Sequence, residues 1–361
     1  MKTPTITRLR REHLEQVARM RLHVFQSTFR AQVDAVAKYL GTVFLDNPWN
    51  NGNSLSRVMT QGDRVVGFIG LIPRPMWFRG RRILMACVSH VMVDPESRGM
   101  GLGGKLLANV FEGEQDLTLS DVSNQALRSL WHAQGGVTHT LGCLTWERSF
   151  RPLRSASRIL DLHPALRLTK IAARPLAGIL DPFLASSPRS GLYVPSPSCS
   201  VEPCELADQV DVIQPLLEAY ALSPVYTEAS FRWLLHHLDT HPSIDEVRGA
   251  LIHEGDGRAI GWTLTAVNQG IHGQVIQLGS LPGSEATVIH ALVHSSGSQG
   301  LHTLRGRVSP SLVEGLSSQG ATFIREDPWV LVHSRRPEIL VEILAGSAHL
   351  SRLEGEWWVA A

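Results

Sequence analysis

The sequence contains few cysteines and tyrosines, almost no net charge and no long apolar run. Four cysteines in 361 residues are too few and too scattered for a disulfide framework or a paired-cysteine metal site, which favours a reducing compartment. A formal net charge of +1 is not the basic excess that a general nucleic-acid-binding protein carries. No window reaches about 18 uninterrupted apolar residues, so we expect neither a membrane span nor a signal peptide, and a cytoplasmic location.

The remaining composition is typical of a soluble globular protein with two domains. Apolar residues make up 43% and charged residues 19% of the chain, which excludes disordered and coiled-coil classes. At about 150 residues per domain, the length predicts two domains. Proline and serine recur between 151 and 203, so we predict domains over 1–150 and 204–361 and a linker over 151–203. A basic amphipathic helix over Ala165–Leu180 would be a strut between the domains or a docking element.

The order of the periodic segments predicts the fold class. Hairpin patterns come first and strand-helix-strand patterns follow, which is typical of an α/β domain with a mixed central sheet flanked by helices. The same order of predicted strands and helices returns after Glu205. The segment Gly62–Phe68 is similar to Asp256–Trp262, each being a turn that feeds a strand, so we interpret the two halves as a weak internal repeat in tandem.

A glycine-dense loop between a strand and a helix is the most informative stretch. The strand contains Val91 and Val93, and an amphipathic helix follows the loop directly. Glycines allow the backbone to approach a ligand, and unpaired amides at a helix N-terminus favour an anion such as pyrophosphate. A plain connecting turn is the alternative. The loop residues are Arg98, Gly99, Met100, Gly101, Leu102, Gly103 and Gly104.

Two other phosphate-binding motifs do not fit this loop. A dinucleotide fingerprint follows the first strand of a βαβ unit, whereas a hairpin precedes this loop. A phosphate loop of the G-x-x-x-x-G-K-[ST] type requires a hydroxyl residue after its lysine, whereas Lys105 is followed by Leu106.

The spacing R-x-x-G-x-G at Arg98, Gly101 and Gly103 resembles the coenzyme A loop of the GNAT N-acetyltransferase superfamily. The resemblance continues through Asn124 and the Leu130-Trp131 pair, which are similar to the following strand and helix of that family. It implies a GNAT-like fold, acetyl-CoA as co-substrate and a small-molecule or peptide amine as acceptor.

The resemblance also implies roles for individual residues. The backbone of Val91 and Val93 would pair with the pantetheine arm of the coenzyme. The amides from Gly99 to Gly104 would hold its pyrophosphate, and Asn124 would help to orient the thioester end.

The expected general base departs from the family pattern. No acidic residue lies between Asp63 and Asp94, so the carboxylate that the family often carries on this strand is missing. His90 is the candidate base because its intrinsic pKa suits the task. Strict alternation puts Cys87 and Ser89 on the face of Val91 and Val93 and His90 on the other, unless a bulge brings His90 round. A packed sheet histidine is the alternative interpretation.

The expected general acid is also replaced. Trp131 occupies the position of the family's tyrosine, and indole cannot protonate a thiolate. Ser123 is a weak candidate acid, as are Tyr39 and Cys143, and otherwise solvent or the other domain supplies the proton. A thiol with a pKa of about 8.5 leaves more easily than an amine with a pKa of about 10.4 loses its proton, so an absent acid is tolerable.

Two further features have open interpretations. Trp49 lies after the two early helices, where the family binds its acceptor, and either lines an acceptor pocket or anchors the loop. His237 and His241 have the spacing of metal ligands, and His236 and Asp239 lie beside them. Because no third ligand is in register, we predict a solvated helix end and no metal.

The second half keeps the element order but loses the motif. The segment Gly279–Ser284 has neither the arginine nor the G-x-G, so we predict a degenerate GNAT-like domain. The terminal segment Gly355–Trp358 is predicted to be core or interface, and a tail that reaches the first domain's site is the third possibility.

These observations predict an N-acetyltransferase that moves an acetyl group from acetyl-CoA to an amine by direct attack. The alternative is a non-catalytic acyl-CoA-binding sensor or scaffold, which the missing carboxylate and tyrosine favour. No nucleic-acid partner is expected, and the sequence leaves the acceptor and the oligomeric state open.

Overall fold

The computed structural model describes residues 3–25, 32–152, 187, 190, 192–325 and 328–359. The predicted helix over Ala165–Leu180 lies outside these residues. No helix among them is both long and apolar enough to span a bilayer.

The chain forms two compact units, each assembled from separate segments. Unit 1 consists of 1–140, 220–233 and 327–361, and unit 2 consists of 141–219 and 234–326. This division differs from the predicted boundaries at 150 and 204, because both halves of the chain contribute to each unit.

Strands and helices are numbered along the chain over the described residues. The strands are β1 (Thr5–Arg8), β2 (Arg57–Gln61), β3 (Arg64–Phe78), β4 (Arg81–Val93), β5 (Leu117–Ser123), β6 (Val137–Thr138), β7 (Leu144–Ser149), β8 (Ser200–Pro203), β9 (Leu222–Pro224), β10 (Glu246–His253), β11 (Ala259–Asn268), β12 (His272–Ser280), β13 (Thr303–Arg307), β14 (Thr322–Arg325) and β15 (Trp329–His333). The helices are α1 (Leu14–Val24), α2 (Val33–Phe44), α3 (Leu102–Phe111), α4 (Gln125–Ala133), α5 (Val210–Leu217), α6 (Glu228–Asp239), α7 (Glu285–Ser298), α8 (Val313–Ser318) and α9 (Pro337–Ala345).

Unit 1 is built on one mixed sheet with the order β1-β2-β3-β4-β5-β15-β6, and β9 pairs with β3. The pair β4 and β5 is parallel, whereas β15 is antiparallel to both β5 and β6. The predicted α/β class with a mixed central sheet is therefore confirmed. The strand between β5 and β6 comes from the end of the chain.

Unit 2 repeats this arrangement with the order β8-β10-β11-β12-β13-β7-β14. Here β7, from the first half of the sequence, occupies the place that β15 takes in unit 1. The predicted tandem of similar domains is confirmed, but β9 and β15 in the sheet of unit 1 and β7 in the sheet of unit 2 are supplied by the other half of the chain. Alternating hydrophobicity predicts a strand but not the sheet that it joins, which explains the difference in boundaries.

The core of unit 1 positions the glycine-dense loop. One stripe of α3 is buried against β3 and β4, and Trp131 of α4 closes the cluster. Each fully buried leucine of that stripe contributes about 2 kcal/mol through the hydrophobic effect, so the start of α3 is held firmly at the end of β4. The stripe consists of Leu102, Leu106, Leu107, Val110 and Phe111.

Candidate active site

The loop between β4 and α3 has the backbone conformation that its glycines permit. Gly99 has φ +80° and Gly101 has φ +70°, the left-handed region that side chains other than glycine rarely adopt. Gly101 is also the N-cap of α3. A Cβ atom at either position would meet no other atom within 4 Å, so the space in front of the loop is open.

The loop presents a run of amides without acceptors. Within the described part of the chain, the backbone N–H groups from Gly99 to Gly104 donate to no protein atom, and Lys105 N is the first to bond, to Gly101 O at 3.2 Å. The turn before the loop is fixed because Asp94 accepts bonds from the Glu96 amide and from Arg64. These features fit an anionic group such as pyrophosphate.

The sheet opens beside the loop. Of the residues that the structure describes, only Met85–Cys87 of β4 pair with β5. Val91 and Val93 lie beyond this point, half-buried, and the edge of their backbone that faces β5 has no strand partner. An extended chain with amide groups, such as pantetheine, can therefore hydrogen-bond to this edge.

A bulge in β4 corrects the predicted face assignment. The register of β4 on β3 shifts around His90, whose φ is +52°. Val91 and Val93 pack in the core cluster beneath α3, whereas Cys87 and Ser89 lie outside that cluster. Strict alternation, which would put these four side chains on one face, does not hold here; the strand has the bulge that was named as the alternative, and its inserted residue reverses the alternation.

The surroundings of His90 oppose its predicted role as a base. Arg21 Nε donates to His90 Nε2 at 2.9 Å, so the acceptor nitrogen of the neutral ring is already used. The other nitrogen, Nδ1, lies 2.8 Å from Ser89 Oγ and donates to it. Burial, and then the charge of Arg21, lower the pKa of His90 to about 3, which makes the imidazole a weak base.

A carboxyl group that the sequence analysis did not single out lies at the opening between β4 and β5. Glu356 Oε1 accepts a 2.7 Å bond from Ser120 Oγ. The hydroxyl groups of Ser120 and Ser89 and the amide of Val122 favour the charged carboxylate and so act to lower its pKa. Desolvation by burial, and then the charge of Asp121, raise the pKa of Glu356 to about 8. The residue as a whole is half-buried.

The segment around Glu356 is held by unit 1 itself. The Glu356 amide donates to Asp121 Oδ1 at 2.7 Å. At Gly355 a Cβ atom would come within 2.1 Å of Asp121 Cγ, so only glycine permits this approach. Trp358 is 1% exposed. Of the three predicted possibilities for this segment, Trp358 is core and Glu356 belongs to a tail that reaches the site.

Ser123, the weak candidate acid, is connected to the same carboxyl group. Its Oγ lies 2.6 Å from Ser120 Oγ, and both serines are buried. Because Ser120 donates its proton to Glu356, Ser123 donates to Ser120.

Trp131 is a core residue. Its side chain is fully buried, and Nε1 donates to Val332 O at 3.0 Å. The ring of Phe111 packs edge-on at 4.9 Å between centroids. The indole proton is thus engaged in the core and is not directed at the opening between the strands.

Asn124 has a structural role that its sequence position alone did not reveal. It is the N-cap of α4, and its Oδ1 accepts a 2.9 Å bond from the Leu127 amide. Among the described residues its Nδ2 group has no acceptor, so this group remains available to a ligand.

Trp49 belongs to an aromatic cluster within unit 1. The guanidinium group of Arg74 lies 4.2 Å from the Trp49 ring centroid and 5.6 Å from that of Trp358, and Trp233 packs edge-on against Trp49 at 5.5 Å. Arg74 also donates to Leu353 O at 2.6 Å. These contacts explain how Trp49 anchors its loop, and the acceptor pocket at Trp49 stays a prediction.

Two remaining predictions concern unit 2. Across the described chain, no group of three or more His, Cys, Asp or Glu side chains has the geometry of a metal site, and the histidines near His237 form none. The loop between β12 and α7 contains one left-handed glycine, Gly283, and no side-chain cap at Ser284.

The comparisons with known proteins agree with this geometry. A family model described as an acetyltransferase (GNAT) domain matches residues 5–143. No curated protein sequence matches the chain.

Solved structures share the fold over nearly the whole chain. A GCN5-related N-acetyltransferase from Anabaena variabilis has a TM-score of 0.59 and 16% identity, over 93% of this chain and 74% of that one. A protein from Enterococcus faecalis titled a probable N-acyltransferase has a TM-score of 0.57 and 13% identity, over 92% of this chain and 73% of that one. A GCN5-related N-acetyltransferase from Kribbella flavida has a TM-score of 0.52 and 17% identity, over 92% of this chain and 71% of that one.

Proposed function

We propose that this protein transfers an acetyl group from acetyl-CoA to an amine, because a family model of a GNAT acetyltransferase domain matches residues 5–143. The observation that carries the proposal is the run of unpaired amides from Gly99 to Gly104 beside the open strand edge at Val91 and Val93. Together they match the two chemically different parts of one ligand, an anionic pyrophosphate and an amide-containing arm.

In this proposal, the residues of unit 1 bind acetyl-CoA at three points. The amides at the start of α3 hold the pyrophosphate, where the helix dipole favours negative charge. The backbone of Val91 and Val93 pairs with the pantetheine arm. The Nδ2 group of Asn124 donates to the thioester carbonyl and orients it for attack.

The chemistry is the attack of a neutral amine on the thioester carbon, with coenzyme A as the leaving group. Deprotonation of an amine with a pKa of about 10.4 at pH 7 costs about 4.6 kcal/mol, so a proton acceptor at the opening between β4 and β5 is required. The acceptor is proposed to be a small-molecule or peptide amine. None of the four cysteines, all of which the structure describes, forms a disulfide, which is compatible with the cytoplasmic location that forms part of the proposal.

Two measurements test this function. Calorimetry of the full chain with acetyl-CoA is expected to show one site, and Gly101→Glu is expected to abolish binding because it adds both strain and negative charge at the loop. Release of the coenzyme A thiol is then followed with a panel of primary amines of small-molecule and peptide type. Absence of acetyl-CoA binding would overturn the proposal.

Trp131 favours one alternative function. The position of the usual acid is a core indole bonded to Val332, which suits a protein that binds acyl-CoA without turnover. Tight acetyl-CoA binding with no thiol release for any amine of the panel would establish this sensor or scaffold role instead.

A further inference from the structure

Two chains of hydrogen-bonding side chains lead to the carboxyl group at the opening between β4 and β5. Arg21 Nε donates to His90 and His90 Nδ1 donates to Ser89, and the Ser89 hydroxyl group favours the charged form of the Glu356 carboxyl group. From the other side, Ser123 donates to Ser120, which donates to Glu356. The carboxyl group of Glu356 is the acceptor on which both chains converge.

This convergence is the arrangement that a general base requires. The hydroxyl group of Ser120 fixes the orientation of the carboxyl group because it donates a hydrogen bond to Oε1, and the Ser89 hydroxyl group favours the charged carboxylate. A carboxylate has about four lone-pair sites, so it retains capacity for an incoming proton. Glu356 as a whole residue is half-buried rather than enclosed.

The position of Glu356 matches the group that β4 itself lacks. No acidic side chain lies between Asp63 and Asp94, and the surroundings of His90 oppose its use as a base. Glu356 instead bonds to Ser120 of β5, and its pKa responds to Ser89 of β4, which precedes the edge at Val91 where the pantetheine arm is proposed to bind.

We propose that Glu356 is the catalytic base of the transferase reaction and that it returns the proton to the leaving thiolate through Ser120 and Ser123. This inference rests on the proposed function. The amine nitrogen forms a bond to the acyl carbon and gives one proton to the Glu356 carboxylate, and the carbon–sulfur bond breaks. The proton then passes from Glu356 along the two serine hydroxyl groups to the sulfur, which leaves amide, coenzyme A thiol and the original carboxylate.

The pH dependence of the reaction supplies a signature of this role. With a pKa of about 8, about a tenth of Glu356 is ionised at pH 7 and most of it at pH 9. The charged and titratable groups around it are Asp121 on β5 and, through Ser89, His90 on β4 and Arg21 on α1. Of these, Asp121 raises the pKa by its negative charge.

The test compares wild type with Glu356→Gln in the full chain, using acetyl-CoA and the best amine of the panel. Glutamine has the shape of the protonated side chain, so the variant is expected to fold and to bind acetyl-CoA with unchanged affinity by calorimetry. Its kcat at pH 8 is expected to fall by at least about a hundredfold. Because ionisation of the amine affects both proteins equally, the ratio of the two kcat values is expected to rise about tenfold from pH 7 to pH 9.

Asp121→Asn is the matched control. It keeps an oxygen for the Glu356 amide but removes the charge, so the inflection of the pH profile is expected to move to lower pH and activity at pH 7 to rise. Glu356→Asp is expected to restore part of the activity that Glu356→Gln loses. Wild-type turnover in Glu356→Gln with the same pH profile would overturn the inference and leave the proposed function intact. Absence of turnover in the wild type would instead remove the function and this role together.

Discussion

The Oε1 atom of Glu356 accepts a 2.7 Å hydrogen bond from the hydroxyl group of Ser120, which lies 236 residues earlier in the chain. This bond brings a carboxyl group from the end of the sequence to the strand next to β4. Strand β4 itself contains no acidic residue. Unit 1 therefore obtains the acidic side chain beside this strand from its last segment, 327–361.

Gly103→Glu tests the proposed pyrophosphate site without backbone strain. A Cβ atom at Gly103 would make only ordinary contacts, 3.5 Å to Leu130 and 3.7 Å to Val93, so the variant is expected to fold. The added negative charge at the start of α3 is expected to weaken acetyl-CoA binding by at least about a hundredfold. Gly103→Gln, of the same shape but neutral, is expected to lose less than about tenfold. Equal losses measured by calorimetry would contradict an anion site here.

Substitutions at Asn124 separate its capping role from its proposed ligand role. Asn124→Ala removes the bond to the Leu127 amide and is expected to destabilise the protein by about 1 kcal/mol. Asn124→Asp keeps the cap but lacks the Nδ2 donor, so stability is expected to be retained while kcat/KM for acetyl-CoA falls. Thermal unfolding and initial rates measure the two effects, and an unchanged kcat/KM in Asn124→Asp would exclude the ligand role.

His90→Ala distinguishes a base from a residue that acts through Ser89. Arg21 is 6% exposed and would lose the acceptor for its Nε proton, which is expected to cost about 1–3 kcal/mol of stability. The rate is expected to fall by less than about tenfold, well below the loss for a general base. His90→Asn tolerates the left-handed backbone and serves as the conservative control. A hundredfold loss of rate in both variants would show that His90, and not Glu356, is the general base.

The raised pKa of Glu356 predicts how stability depends on pH. The folded protein keeps this proton up to about pH 8, whereas the unfolded chain releases it near the ordinary glutamate pKa of 4.5, so ionisation makes stability fall as pH rises between these values. His90 acts in the opposite direction below about pH 6.5, because its folded pKa is lowered to about 3.

Comparison with Glu356→Gln isolates the contribution of this carboxyl group, since His90 is present in both proteins. The stability of the variant relative to wild type is expected to increase by up to about 1 kcal/mol for each pH unit between 4.5 and 8, a value reduced for partial exposure. Urea unfolding at a series of pH values measures it. A difference independent of pH would show that the carboxyl group titrates normally.

Trp131→Phe tests whether the residue at the usual acid position contributes to the reaction. Val332 O would lose its buried donor, so a destabilisation of about 1–3 kcal/mol is expected. Because the indole proton is directed into the core, kcat at saturating acetyl-CoA is expected to remain within about twofold of wild type. A large loss of kcat without loss of stability would contradict this assignment.

Part of the site was predictable because its signals are local. The glycines from Gly99 to Gly104 and the strand before them are contiguous in sequence, and their conformation follows from neighbouring residues. The face of His90 was not predictable in the same way, because a bulge depends on how β4 pairs with β3.

The sequence by itself determined the α/β class, the tandem repeat and the glycine loop that is proposed to bind pyrophosphate, since periodicity and glycine spacing act over a few residues. Only the tertiary structure decided that β7 and β15 each join the sheet of the other half, and that Glu356 lies between Ser89 and Ser120. The physical reason is that strand pairing and burial of a carboxyl group depend on which surfaces the folded chain brings together, and no local pattern around Glu356 records its partners more than 230 residues away.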